Sequence, residues 1–492
     1  MLFNSQIFVF LFFPITLLGY YILHRFGRHT AAKGWLLLAS FVFYGYHHVS
    51  YLLLLLGSIA LNYLIYLALE RLTGKKVRLF LFVLGLLANL GSIGYFKYYN
   101  FFAKNINSVL PLSIPLKNIL LPLGISFFTF QQVSFLVDSY RKEVGSYHLL
   151  DYALFVSFFP QLVAGPIVLH DHLIPQFSEE ERYHLNTDRF AAGLRYFILG
   201  LAKKQLIADR FGAVADLGYA APESFDTPAI ALVILSYTLQ IYYDFSGYSD
   251  MAIGLGKMLG FDLPVNFNSP YKAATIAEFW KKWHMTMTGF FTKYLYIPLG
   301  GSRKGKLRTY LNTLFVFAVS GLWHGAAWSF VFWGALHGAA LVFHRMIAEQ
   351  VKRIPKWITR ICTFLFVNLA WVFFRAEGFW QAKSVLLQLL RGGFRGAGGG
   401  TWDRLLPAFF GSSADQLLVN FPEMAGGYAF FTSLTALVAI ILILIYTFVG
   451  RSTHEVVAAG KAKAGTGILY GLLFAVTLLA LMKVSTFLYF NF

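Results

Sequence analysis

The chain has a single cysteine, Cys362, among 492 residues. That excludes an intramolecular disulfide and any cysteine-based metal site. A lone cysteine in an apolar stretch reads as packing, not as a nucleophile. Charge is scarce as well. Asp, Glu, Lys and Arg make up 13% of the residues against 57% hydrophobic, which no ordinary soluble domain matches. Acidic residues are the scarcer sign, 23 against 41 basic, for a formal net charge of +18. The GxSxG elbow, the HExxH zinc motif and the P-loop are all missing, so none of those soluble-enzyme chemistries is indicated. No basic stretch precedes the first apolar run; Arg25 and Arg28 follow it. The first span is therefore expected to be retained, not removed as a signal peptide. His170-Asp171-His172 looks like a metal pair but lacks further ligands at useful spacing. No metal site is expected.

What the chain does have is apolar spans along its whole length. A spanning helix needs about 20 mostly apolar residues. Good candidates are 7–23, 34–46, 51–69, 79–98, 116–137, 229–245, 310–322, 329–343, 361–374, 428–449 and 468–489; weaker ones are 152–169, 190–207 and 251–261. Several are short, as suits tilted, re-entrant or interior helices. The expected fold is all-α: a polytopic membrane bundle of about 10–13 crossings, with some re-entrant or interfacial helices and a central tunnel. It reads as one integral membrane domain, 1–492, with a core at about 116–375 and C-terminal helices at 376–492. A glycine-rich run beginning at Gly392 reads as a flexible loop.

The positive charge is not scattered. It sits in short loops between spans, at Arg25/Arg28/Lys33, Arg71/Lys75/Lys76/Arg78, Arg303/Lys304/Lys306/Arg308 and Lys352/Arg353/Lys356/Arg360, with a weaker cluster at Arg451/Lys461/Lys463. This is the positive-inside pattern, so these loops are assigned to the cytoplasm. Both termini then fall outside and the number of crossings is even. No nucleic-acid module appears among the loops; the expected surroundings are membrane lipid.

Three regions carry chemistry. In Ser320-Gly321-Leu322-Trp323-His324-Gly325-Ala326-Ala327-Trp328 a histidine lies inside an apolar, aromatic run. An ionisable group at membrane depth is expensive and usually faces an internal cavity. Histidine is the side chain best suited to move protons near neutral pH. Gly321 and Gly325 leave room for something to approach closely. The second region, Tyr242 to Asp250, sets Asp244, Asp250 and the hydroxyls of Tyr242, Tyr243, Ser246, Tyr248 and Ser249 at the end of an apolar span. It reads either as a polar knot joining helices or as part of a substrate site. The third runs from the turn-rich Asn266-Phe267-Asn268-Ser269-Pro270 to the tryptophan-rich Glu278–Thr288 stretch. That stretch is amphipathic, as interfacial helices are, and leaves His284 either in a pocket or at the interface.

The segment WKKWHMTMTGFFTKYLYIPLGGSRKG, followed by VSGLWHGAAWSFVFWGALHG, resembles the membrane-bound O-acyltransferase superfamily. Within it, the chain is most similar to the bacterial alginate O-acetyltransferase-like branch. YYDFSGYSDMAIGLGKMLGFDLPVNFNSPY, FFPQLVAGPI, AWVFFRAE and the C-terminal FLYFNF also fit. The two characteristic histidines of the family fall on His284 and His324. The resemblance implies an O-acyltransferase in the bacterial cytoplasmic membrane, using acetyl-CoA as donor substrate and no cofactor. It implies a hydroxyl acceptor on the far side: a serine of a secreted SGNH-type acetyltransferase or, through it, an exported polysaccharide such as alginate. His324 is then the expected general base and His284 its assistant. Trp323, Trp328, Asn268, Tyr248, Asp244 and His337 are expected around the substrates. Arg303, Lys304, Lys306 and Arg308 are expected to hold the donor phosphates. Phe487 to Phe492 is expected to dock the partner. Alternatives are D-alanyl transfer from a carrier protein to a partner or teichoic acid, and a non-enzymatic polysaccharide or lipid-sugar transporter. The absence of internal repeats counts against the transporter.

Overall fold

A computed structural model describes residues 1–46, 48–394, 405–406, 408–409, 425–460, 464–481 and 487–488. Most of the glycine-rich loop, Lys461, Lys463 and residues 489–492 of the expected docking tail lie outside them. The described residues form helices and turns, with no strand among them. Eight helices position the site: α1 (Lys75–Ile93), α2 (Tyr99–Val109), α3 (Ile125–Arg141), α4 (Thr227–Met258), α5 (Met285–Phe291), α6 (Lys306–His324), α7 (Trp328–Met346) and α8 (Lys356–Arg375). A wide π-turn, Gly94–Tyr98, joins α1 to α2.

Among the described residues, five helical stretches are long and apolar enough to cross a membrane: Phe8–Arg25, Val49–Arg71, Lys75–Val109, Thr227–Met258 and Lys356–Arg375. A sixth is a pair bent by 71°, Leu434–Val449 with Thr453–Ala459. The other helices are shorter, broken or more polar. That is tolerable in a membrane where backbone and polar groups face protein instead of lipid. The contrast is sharp between α1–α2, with 17% of its most apolar window buried, and α4, with 83%. Helix α4 is the axis of the bundle and α1–α2 lies at its edge. Cys362 of α8 is exposed, not packed.

The sequence divides α4 into two spans, because Asp244, Ser246, Gly247 and Asp250 interrupt its apolar pattern. The structure instead carries one helix of about 48 Å through the whole stretch. The interruptions face another helix, Thr187–Ala202. A Cβ on Gly200 would stand 2.5 Å from the Gly247 carbonyl oxygen, and one on Gly193 would stand 2.6 Å from that of Gly254. Small residues let the two backbones touch, as in other membrane helix pairs. The carboxylates pair across the same seam: Lys204 donates to Asp244 at 2.6 Å and Lys203 to Asp250 at 2.7 Å. These contacts join the two helices.

Helix α3 starts later than its apolar run. Pro111, Pro115 and Pro122 keep residues 111–124 out of helix, and Gly124 turns the chain at φ +73°. Helices α6 and α7 form a hairpin whose backbones nearly touch. A Cβ on Gly321 would lie 2.2 Å from the Phe330 carbonyl oxygen, and one on Gly334 would lie 2.1 Å from that of Phe317. The close approach that Gly321 permits is therefore that of a neighbouring helix.

Candidate active site

His324 is the last residue of α6 and is 2% exposed. Its ring lies among aromatic rings, with centroids 4.9 Å from Trp323, 5.2 Å from Trp333 and 5.2 Å from Phe374. Hydrogen bonds from the π-turn hold the backbone here. Tyr98 donates its hydroxyl to the Leu322 carbonyl at 2.9 Å. The Lys97 ammonium donates to the carbonyls of Trp323 and His324 at 2.6 and 3.0 Å. These are the carbonyls that a helix end leaves without partners, and a cation is the favoured group at that pole of the helix dipole.

His284 reaches the same place from another direction. The tryptophan-rich segment is not one interfacial helix. It is a short helix, Ile276–Trp280, then a turn, then α5. Trp280 and Trp283 are buried, at 4% and 1% exposure. His284 sits in the turn at φ +43°, ψ +54°, a left-handed conformation that is uncommon without glycine and clusters at functional sites. The turn aims its fully buried ring inward, 6.3 Å from the ring of His324. Its Nδ1 lies 3.2 Å from Oδ1 of Asn266. That oxygen also accepts from the Thr286 hydroxyl at 2.9 Å and the Thr286 N–H at 3.3 Å. Asn266 donates its amide to Ser249 at 3.3 Å. With Oδ1 as acceptor, Nδ1 of His284 is the donor, and Nε2 keeps its lone pair.

Two cavities approach the histidine pair. One, about 40 Å³, is lined by His324, Trp323, Lys97, Ser126 and the 121–125 turn. The other, about 380 Å³, runs beside α5 and α6 past Arg345, Lys281, Tyr296 and Thr313 to Trp280, Met287 and Ser320. Ser320 and His324 are one turn apart on α6, and Met287 follows His284 by a turn on α5. The two columns pack side by side, with Ser320 Oγ 3.9 Å from Met287 Sδ. The larger cavity thus ends one helical turn short of the histidines, on the side of the basic 303–308 loop.

The structure brings His284, His324 and Trp323 together and sets the other expected residues apart. Trp328 is 56% exposed and donates to Asn105 at 2.7 Å; Gly325 has already turned the chain away from the pocket. His337 stands behind Trp333, accepting from Trp280 Nε1 at 3.2 Å. Asn268 is only partly buried, its backbone N–H bonded to the Lys282 carbonyl at 3.0 Å; its neighbour Asn266 makes the contact to His284. Asp244 belongs to the Lys204 ion pair and accepts from the Leu488 N–H at 2.8 Å. The Tyr248 ring is held between Phe3 and Phe487. That contact also places Phe487 inside the bundle at 1% exposure, where it is not available as a docking residue. Arg303, Lys304, Lys306 and Arg308 are exposed and do not line the larger cavity. Its cations are Lys281 and Arg345, the latter bonded to Thr313 at 2.7 Å. Sequence reasoning missed Asn266 and Lys97. The signal for Lys97 was present, a lysine inside an apolar span; nothing in the motif distinguished Asn266 from Asn268.

Several helices long and apolar enough to cross a membrane, with two buried histidines packed together inside the bundle, make this a multi-pass membrane protein with a buried histidine site. The chain belongs to the membrane-bound O-acyltransferase family, whose model matches residues 112–379. It is 42% identical to the peptidoglycan O-acetyltransferase of Helicobacter pylori over 416 residues, 78% of this chain and 79% of that one. It is 41% identical to a Pseudomonas aeruginosa protein named "Probable alginate O-acetylase AlgI" over 388 residues, 77% of this chain and 72% of that one. Similarity to the teichoic acid D-alanyltransferase of Streptococcus thermophilus is weaker, 27% over 250 residues and 48% of this chain. The protein is a membrane O-acyltransferase.

Proposed function

We propose that this enzyme moves an acetyl group from acetyl-CoA, entering from the cytoplasmic face of a bacterial cytoplasmic membrane, to a hydroxyl presented from the opposite face. The observation that carries the reading is the histidine pair, with rings 6.3 Å apart, set between two separate cavities. The larger cavity carries Lys281 and Arg345 for the donor phosphates. The smaller cavity, beyond His324, takes the acceptor oxygen. A thioester is already activated, so the protein chiefly has to deprotonate the attacking hydroxyl and stabilise the oxyanion. His324 takes the proton; His284, fixed by Asn266, orients the reacting groups. The acceptor is a serine of a secreted SGNH-type acetyltransferase that passes the group to a cell-surface polysaccharide. Support comes from relatives named for peptidoglycan and alginate acetylation.

The test is thiol release from acetyl-CoA by the purified protein in lipid nanodiscs, with and without a candidate secreted partner, beside a D-alanyl carrier protein as rival donor. Release from acetyl-CoA that the partner accelerates supports the reading. Transfer from the carrier protein alone contradicts it.

A further inference from the structure

Lys97 is a lysine inside the Lys75–Val109 membrane span. It makes no ion pair among the described residues; its strong partners are two backbone carbonyls. Lys97 is partly buried, and a lysine at membrane depth with no carboxylate partner is costly and usually functional. A hydrogen-bonded helix end can be capped by neutral donors, as Tyr98 does one residue on, so capping alone does not call for a charge.

An ammonium has three donors. Two are used at 2.6 and 3.0 Å, and the nearest partner for the third is the Ser126 hydroxyl at 3.4 Å, a long, weak contact. Lys97, Ser126 and His324 line the same small cavity. The N-terminus of α3 also borders it through Gly124, Ile125 and Ser126, and no side chain caps that end. A 17-residue helix presents its positive pole there. The cavity beside His324 is therefore lined by the Lys97 amino group and a helix N-terminus, with no carboxylate among its lining residues. At about 40 Å³ it has room for roughly three water-sized groups, the scale of a reacting carbonyl with its acceptor oxygen.

We propose that Lys97 is a catalytic residue, the donor that stabilises the oxyanion of acyl transfer. This rests on the reading of His324 as the base. The acceptor oxygen attacks the thioester carbonyl carbon and a C–O bond forms as the hydroxyl proton passes to His324. The carbonyl π electrons move to oxygen, and that oxyanion takes the third N–H of Lys97. When the C=O bond re-forms, the C–S bond breaks and the thiolate leaves with the proton from His324. The carbonyls of Trp323 and His324 hold the ammonium in place, so it needs no reorganisation at the moment of reaction.

The experiment compares Lys97→Met, Lys97→Ala and Tyr98→Phe with the parent enzyme in nanodiscs. Single-turnover thiol release, acetyl-CoA binding and thermal midpoint are measured for each. Lys97→Met should lose roughly 10²–10³-fold in rate at saturating donor with donor affinity unchanged. Propylammonium should restore part of the Lys97→Ala rate, and propanol should not. Tyr98→Phe, which uncaps the same helix end without removing charge, should lower the midpoint and leave the rate within about threefold, since only a neutral hydrogen bond is lost. A Lys97→Met enzyme within about threefold of the parent overturns the proposal, that loss being far below one for an oxyanion donor. So does a rate loss matched by weaker donor binding, a lower midpoint and no amine rescue, which is what capping alone would give. His324→Ala separates the two readings. If it is inactive while Lys97→Met is active, the base stands and the oxyanion donor falls. If His324→Ala is active, the reading on which this one rests falls.

Discussion

Nδ1 of His284 lies 3.2 Å from the side-chain oxygen of Asn266, and the same oxygen receives both donors of Thr286. One acceptor thereby fixes the tautomer of a histidine and the turn that carries it. Asn266→Ala should lower acetyl transfer about tenfold or more, by the logic through which wrong-tautomer histidines fail, while thermal stability changes less. Asn268→Ala, one residue from the same turn, should change transfer by less than about twofold, the ordinary outcome away from a named mechanism. Parallel kinetics on the two variants check this; equal losses would mean that the turn as a whole, not the hydrogen bond, matters.

A second expectation concerns the donor. Lys281→Gln with Arg345→Gln should raise the apparent KM for acetyl-CoA severalfold, and more salt should shrink the difference between variant and parent, because screening already weakens exposed charge pairs. Neutralising Arg303, Lys304, Lys306 and Arg308 should shift KM less. These four residues are exposed beyond the cavity, whereas Lys281 and Arg345 line it. Steady-state kinetics at two ionic strengths, with insertion checked by protease protection, decide which set holds the phosphates.

The α6–α7 crossing gives a packing test. Gly334→Ala would place a methyl 2.1 Å from the Phe317 carbonyl oxygen. Backbone on both sides leaves no flexible side chain to yield, so the helices must separate. We expect a loss of about 1–3 kcal/mol in stability, as for other overpacked contacts, together with lowered activity because His324 ends the displaced helix. Gly289→Ala, where a Cβ meets nothing within 4 Å, is the control and should leave the thermal midpoint unchanged.

Outside the membrane spans, Asp262 ties the end of α4 to neighbouring loops. It pairs with Lys257 at 2.7 Å and Arg182 at 2.9 Å. Partial burial would raise its pKa, but these two cations and Arg189 hold it down from 3.8 to about 2. A depressed carboxylate contributes stability that is present above its unfolded pKa and lost as pH falls through the folded one. The thermal midpoint of the parent should therefore drop between about pH 4 and pH 2 by more than that of Asp262→Asn. Scans across that window check the sign; parallel curves would show that the ion pairs contribute nothing.

Much of this was legible in the sequence, and the misses have physical causes. Spans were readable because lipid demands continuous apolar surface, and α6 and α7 appeared with nearly the observed limits. Helix α4 was read as two, because its polar residues pair with Lys203 and Lys204 of a distant segment and no local pattern announces a partner. The tryptophans at 280 and 283 look interfacial in sequence and are interior, since burial of an amphipathic ring depends on what packs over it. His324 and His284 stood out through their context and the family resemblance. Lys97 carried a signal, a lysine inside an apolar span, but its link to His324 runs through backbone carbonyls, which side-chain patterning does not show. Trp328 was placed at the site by its nearness to His324 in sequence, but the extended Gly325 points it outward.

The most direct measurement is single-turnover acetyl transfer by His324→Ala in lipid nanodiscs, with acetyl-CoA binding measured on the same preparation. If His324 is the base, the variant should bind donor like the parent and lose transfer by roughly 10²–10⁴-fold, the range for general acid–base catalysis. A variant that binds donor normally and transfers acetyl at close to the parent rate would contradict the account.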